Sequence, residues 1–152
     1  ATPAELEPDP EILAVAKALA EQSGATITVT NDPVEAVADA DVVYTNVWAA
    51  MGEEGQFAER VRLMSPYQVN AELVSHIKNP DSIFLHCLPA FHNAETDYAA
   101  DIEAKHGISA MEVTDDVFYS DHGRQFQQAE NRMHTIKAIM AATLGNLYVP
   151  SV

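Results

Sequence analysis

Residues 83–85, Ile-Phe-Leu, form a short apolar run that ends abruptly at His86-Cys87-Leu88-Pro89. A run this short, bounded by polar turn residues, reads as a buried strand. It is not isolated. Asp9-Pro10 reads as an N-cap and first helical position, apolar residues at Ile12, Leu13, Ala16, Leu19 and Ala20 follow helical spacing, and Gly24 closes the helix. Residues 26–30 are β-rich and predict a strand. Asp32-Pro33 opens a short helix to about residue 39, and residues 41–45 predict the next strand. A glycine-containing loop follows over 46–55. Helices are predicted over 56–64, around Val69, Leu73 and Ile77, over 94–105 and over 127–144, with a strand at 110–113 and a turn or short helix at 114–119. Ile136, Ile139, Met140 and Leu144 share one face of the last helix. Helix and strand alternate, and the strands are short without clean polar alternation. That pattern predicts an α/β fold, a parallel sheet with helices on both faces.

In such sheets, ligands bind beyond the carboxyl ends of the strands. His86 and Cys87 stand at that place, as does the loop beginning at Asn46 after the strand over 41–45. Cys87 is the single cysteine of the chain. Alone, it reads first as a small buried hydrophobe. The 46–52 loop, on its residues alone, reads first as a glycine-containing turn anchored in the core by Trp48 and Met51. Arg132, near the start of the last helix, offers a planar fork of donors to an oxyanion or pairs with Glu130 or Asp121. No cysteine or histidine spacing suggests a zinc site, and neither a metal nor another cofactor is expected.

Four stretches together carry a resemblance. They are Tyr44-Thr45-Asn46-Val47-Trp48-Ala49-Ala50-Met51-Gly52-Glu53, Pro66-Tyr67-Gln68-Val69-Asn70, His86-Cys87-Leu88-Pro89, and Ala129-Glu130-Asn131-Arg132-Met133-His134-Thr135-Ile136-Lys137-Ala138. In this order they resemble the carboxyl-terminal, ornithine-binding half of the ornithine carbamoyltransferases. The resemblance implies a Rossmann-like domain over 1–152 that lacks the first strand–helix unit of the family's domain, leaving a sheet edge open unless another chain covers it. It implies transfer of the carbamoyl group of carbamoyl phosphate to the δ-amino group of ornithine, giving citrulline and phosphate. The carbamoyl-phosphate domain is absent, so the reaction is complete only with the amino-terminal half, in a homotrimer.

By the same resemblance, Cys87 positions the δ-amino group, Arg132 donates to the carbamoyl oxygen, and His86 and the Leu88 backbone face the carbamoyl group. Asn46, Ala50 and Met51 belong to the loop that closes on ornithine. The family usually carries aspartate at position 46 and serine at position 50. Asn46 and Ala50 therefore point to weakened ornithine binding, to a transcarbamylase for another amine, or to a non-catalytic amino-acid-binding module.

The balance of 23 acidic against 8 basic residues, net charge −15, disfavours nucleic acid and anionic membrane surfaces, and neither is expected as a partner. It also means that local arginines must reverse the field for any anionic substrate. No apolar run approaches the roughly 18 residues of a membrane span, and no charged-then-apolar leader opens the chain. With one cysteine, no internal disulfide forms. These features fit a cytoplasmic protein.

Overall fold

The computed structural model describes residues 1–49 and 54–145. Its sheet has two parallel strands, β1 (Val42–Thr45) and β2 (Ile83–His86). Val42 pairs with Ile83, Val43 with Phe84, Tyr44 with Leu85 and Thr45 with His86. Between them the chain runs through a 3-10 turn (Glu54–Gln56), α3 (Phe57–Met64), a second 3-10 turn (Ser65–Tyr67) and α4 (Ala71–Ser75). This is the long crossover that parallel strands require. Before β1 lie α1 (Pro10–Ser23) and α2 (Pro33–Val37); after β2 come α5 (Asp97–His106), α6 (Asp115–Phe118) and α7 (Gln125–Leu144).

The local signals explain the helix ends. The Asp9 carboxylate accepts from the amides of Glu11 and Ile12, and Asp32 accepts from those of Val34 and Glu35, each ahead of a proline at the first helical position. Asn70 and Thr96 cap α4 and α5 in the same way. Gly24 stops α1 in a left-handed conformation, φ 75°, that a residue with a Cβ adopts only under strain.

Two expected strands are absent. Residues 26–30 have β-forming composition but no ladder partner; the Thr30 carbonyl accepts from the Thr2 amide at 3.1 Å, and no strand forms. Residues 110–113 contribute only a single parallel bridge, Val113 to Val69. Strand propensity is realised only where a neighbouring strand supplies hydrogen bonds. Among the described residues, nothing pairs with the outer edge of β1.

Period-2 geometry sends Val43 and Phe84 to one face, where Val37, Val69, Leu73, Val113, Val117 and Phe118 complete a core. Trp48, Phe57, Ile102 and Met111 form a second cluster, so Trp48 does anchor the loop after β1. The opposite face of the sheet, with Tyr44 and Leu85, meets α7 across a cavity. It is only partly covered: Val42 is 47% and Tyr44 53% exposed. Two helical stripes are bare as well. On α1, Ile12, Val15 and Leu19 stand out, and on α7 Met133, Ile136, Met140 and Leu144 do.

Candidate functional site

The site gathers at the carboxyl end of β2. Phe84 donates its amide to the His122 carbonyl (2.8 Å) and accepts from the Arg124 amide (2.9 Å). The segment around Gly123 thus runs beside β2 and delivers the start of α7 to the strand's end. Glycine is required there. A Cβ at position 123 would lie 2.9 Å from the Phe118 carbonyl oxygen and 3.3 Å from that of Ser120.

His86, the last residue of β2, is 1% exposed. Its Nδ1 accepts from the Leu88 amide at 2.9 Å. That nitrogen therefore carries no proton, and Nε2 donates to Glu112 Oε1 at 3.0 Å. The same Glu112 oxygen accepts from the Phe91 amide at 2.8 Å. A single carboxylate oxygen thereby ties down both ends of the loop from His86 to Phe91. Both the His86 and Glu112 side chains are fully buried, and Glu112 Oε2 has no hydrogen-bond partner among the described residues.

This geometry corrects one expectation. The His86 ring has both nitrogens engaged inside the protein, so none is left to face a carbamoyl group. The Leu88 amide is likewise taken up by His86, which leaves only its carbonyl. Leu88 sits at φ 53°, in the left-handed region, and precedes a cis peptide bond to Pro89. Glu112 escaped the sequence reading. The available signal was a charged residue between Met111 and Val113 in an otherwise apolar stretch, since a lone acid there must find a buried donor.

Beyond the clamped end, Cys87 is exposed. Its thiol donates to Asn46 Oδ1 at 2.8 Å, which joins the ends of the two strands across 41 residues of sequence. Asn46 Oδ1 also accepts from the Val47 amide at 2.8 Å. With its oxygen doubly used, Asn46 offers a ligand only its amide N–H groups. Ala50 and Met51 lie outside the described residues.

Cys87 and Arg132, far apart in sequence, line one cavity of about 670 Å³ between the sheet face and α7. Tyr44 and Gln128 share its wall, with Gln128 Nε2 donating to the Tyr44 hydroxyl at 2.9 Å. Arg132 forms no ion pair with Glu130 or Asp121 among the described residues. No group of three or more metal-ligating side chains occurs among the described residues.

His92 is held by Asp115, Nδ1 to Oδ1 at 2.6 Å, and stacks on Phe118 at 3.9 Å. The hydrogen bond from His92, with another from Asn93, keeps the Asp115 carboxyl below the usual carboxylate range despite some desolvation. The pair fastens the loop beyond Phe91 to α6.

Residues 1–143 match the family described as aspartate/ornithine carbamoyltransferase, Asp/Orn binding domain. The chain belongs to that family. An ornithine carbamoyltransferase of Streptococcus pneumoniae (strain Hungary19A-6) is 59% identical over 151 residues, which is 99% of this chain and 45% of the relative. A catabolic ornithine carbamoyltransferase of S. pneumoniae serotype 4 matches equally well. The chain thus spans less than half the length of these relatives. Among solved structures, the ornithine carbamoyltransferase of Pyrococcus furiosus superimposes with a TM-score of 0.77 at 42% identity, over 97% of this chain and 42% of that one. The anabolic enzyme of Campylobacter jejuni gives 0.74 at 31% identity, over 93% and 41%. The fold is accordingly the Rossmann-like one of the family. Among the described residues no helix is long and apolar enough to cross a membrane.

Proposed function

We propose that this chain is the ornithine-binding half of an ornithine carbamoyltransferase. The observation that carries the reading is the meeting of Cys87 and Arg132 in one cavity at the carboxyl end of β2. In this reading the δ-amine of ornithine, as the free base, attacks the carbonyl carbon of carbamoyl phosphate. The C–N bond forms, the bond from carbon to the phosphate oxygen breaks, and the proton lost by the amine leaves with the departing phosphate. Cys87 donates its own proton to Asn46, so its sulfur lone pairs remain to accept from the amine and orient it. The Arg132 fork lies ready for the carbonyl oxygen as negative charge develops there, a stabilisation of about 2.7–4 kcal/mol for one such donor. His86 acts as a positioning residue: it fixes the turn on which Cys87 and the Leu88 carbonyl ride. Direct transfer needs no covalent enzyme intermediate.

The phosphate end needs a basic loop to complete it. The amino-terminal half of the longer relatives supplies it in this reading, and the whole works as a homotrimer in the cytoplasm. The test is citrulline formation from ornithine and carbamoyl phosphate, with this chain alone and then mixed with a family amino-terminal half. Activity in the assembled mixture supports the reading; none, with assembly demonstrated by mass, refutes it.

One observation favours a second reading, a transcarbamylase for a different amine. Asn46 is neutral, and its oxygen is committed to Cys87 and Val47, so it suits a ligand acceptor better than an ammonium. Profiling amines in the complemented enzyme separates the two readings: ornithine preferred supports the first, and an amine bearing an acceptor in place of the α-ammonium supports the second.

A further inference from the structure

The Cys87 cavity has an electrostatic character opposite to that of the chain. The protein carries a net charge of −15, yet the described residues lining this cavity include Arg124 and Arg132 and no aspartate or glutamate. Sequence reading attached a role to Arg132 only. Arg124 stands on the same wall, at the junction between the Gly123 segment and α7. Its Nη1 donates to the Asp121 carbonyl at 2.8 Å and the Gly123 carbonyl at 2.7 Å. These two bonds use both Nη1 protons and fix the guanidinium plane. They leave Nη2 and Nε, the edge that grips an oxyanion through two parallel bonds, without a partner among the described residues. Arg132 likewise has no protein acceptor among the described residues. Two cations facing one cavity repel each other, and no carboxylate among the described lining residues offsets that repulsion.

We propose that Arg124, standing beside Arg132, forms an oxyanion-binding end of this cavity and fixes the anionic group of the ligand whose reacting atoms lie at Cys87. The inference rests on the reading that the cavity is the substrate site. The group is a carboxylate or a phosphate, and it has two possible sources: the α-carboxylate of the amino-acid substrate or the phosphate of the carbamoyl donor. Because the Arg124 fork is held by backbone carbonyls, its donors need no reorganisation when the anion arrives. That makes Arg124 a specificity-determining residue: it rejects an amine that carries no anionic group.

The test is calorimetric titration of the intact chain with inorganic phosphate and, separately, with norvaline, which has the α-carboxylate and no δ-amine. Saturable binding of either probe is expected, weakened at least about tenfold in Arg124→Gln, as for loss of a charge-assisted contact. The same binding should fall as salt rises. Arg124→Gln also removes two bonds to the loop, so Gln127→Glu serves as a second variant. Gln127 lines the cavity and is exposed, and a carboxylate there should weaken the same probe with the thermal midpoint unchanged. Phosphate binding that responds to both variants assigns the donor's phosphate; norvaline binding that responds assigns the amino acid's carboxylate. No binding of either probe in the millimolar range, or binding indifferent to both variants, overturns the proposal. Responsive anion binding beside failed citrulline formation would sink the transcarbamylase reading and leave this site standing.

Discussion

Replacing Glu112 with alanine should loosen the whole end of β2. The carboxylate is fully buried, and its Oε1 serves two buried donors, His86 Nε2 and the Phe91 amide. Alanine removes the acceptor that both donors use. Each orphaned donor costs about 1–3 kcal/mol, so the pair sums to roughly 2–6 kcal/mol before any void is counted, in line with about 3–5 kcal/mol for breaking a buried pair. Against a total stability of about 5–15 kcal/mol, that is a large fraction. Glu112→Gln keeps the oxygen acceptor. Its new amide group falls where Oε2 already lacks a partner among the described residues, so its cost should be nearer about 1–2 kcal/mol. The assay is urea unfolding of the chain followed by far-ultraviolet circular dichroism. With a slope of about 2 kcal/mol per molar, the alanine variant should lower the midpoint by about 1–3 M and the glutamine variant by under about 1 M. If alanine shifts the midpoint by less than about 0.5 M, or if glutamine matches alanine, the clamp does not work as the geometry says.

Other perturbations have defined outcomes. Asn46→Asp restores an anion beside Cys87 and should tighten ornithine about tenfold, the difference between a charged and a neutral hydrogen bond; calorimetry with the two proteins checks it, and unchanged affinity removes Asn46 from the account of specificity. Asp115 has a folded-state pKa below its ordinary value of 3.8, so the stability it contributes is present above that value and lost as pH falls through the lower, folded one. Unfolding midpoints measured from pH 6 to pH 2 should therefore fall less steeply for Asp115→Asn than for the parent chain. Gly24→Ala meets nothing within 4 Å but forces alanine to φ 75°, and should lower stability by about 1 kcal/mol by the same unfolding assay.

Legibility in the sequence tracked the range of the forces involved. The ends of α1 and α2 are set within four residues by Asp9, Asp32 and two prolines, so they could be read directly. The strand at Ile83 and the chemistry at its end could be read because an apolar run stopping at His86-Cys87 is itself a local signal. The strands expected at 26–30 and 110–113 failed because a strand is a property of two segments, and their composition says nothing about the second. The Glu112 clamp was hidden for the same reason: its partners lie 26 and 21 residues earlier in the chain. The stripe on α7 was legible as a face, but not as an exposed one, because the pattern records apolarity and leaves open what it packs on. Arg124 was legible only as one of four arginines able to reverse the field of an acidic chain, since its importance comes from the cavity wall it shares with a residue eight positions on.

The open edge of β1 sets how this chain behaves in the test tube. An uncovered strand edge carrying Val42 and Tyr44 invites a second molecule to add on by backbone hydrogen bonding. What opposes this is long-range repulsion between two bodies that each carry a net charge of −15. Repulsion of that kind is colloidal and reaches only as far as the ionic atmosphere allows, about 10 Å at 0.1 M salt and about 3 Å at 1 M. Solubility should therefore fall as salt is added, and dilute buffer is the condition in which single molecules persist.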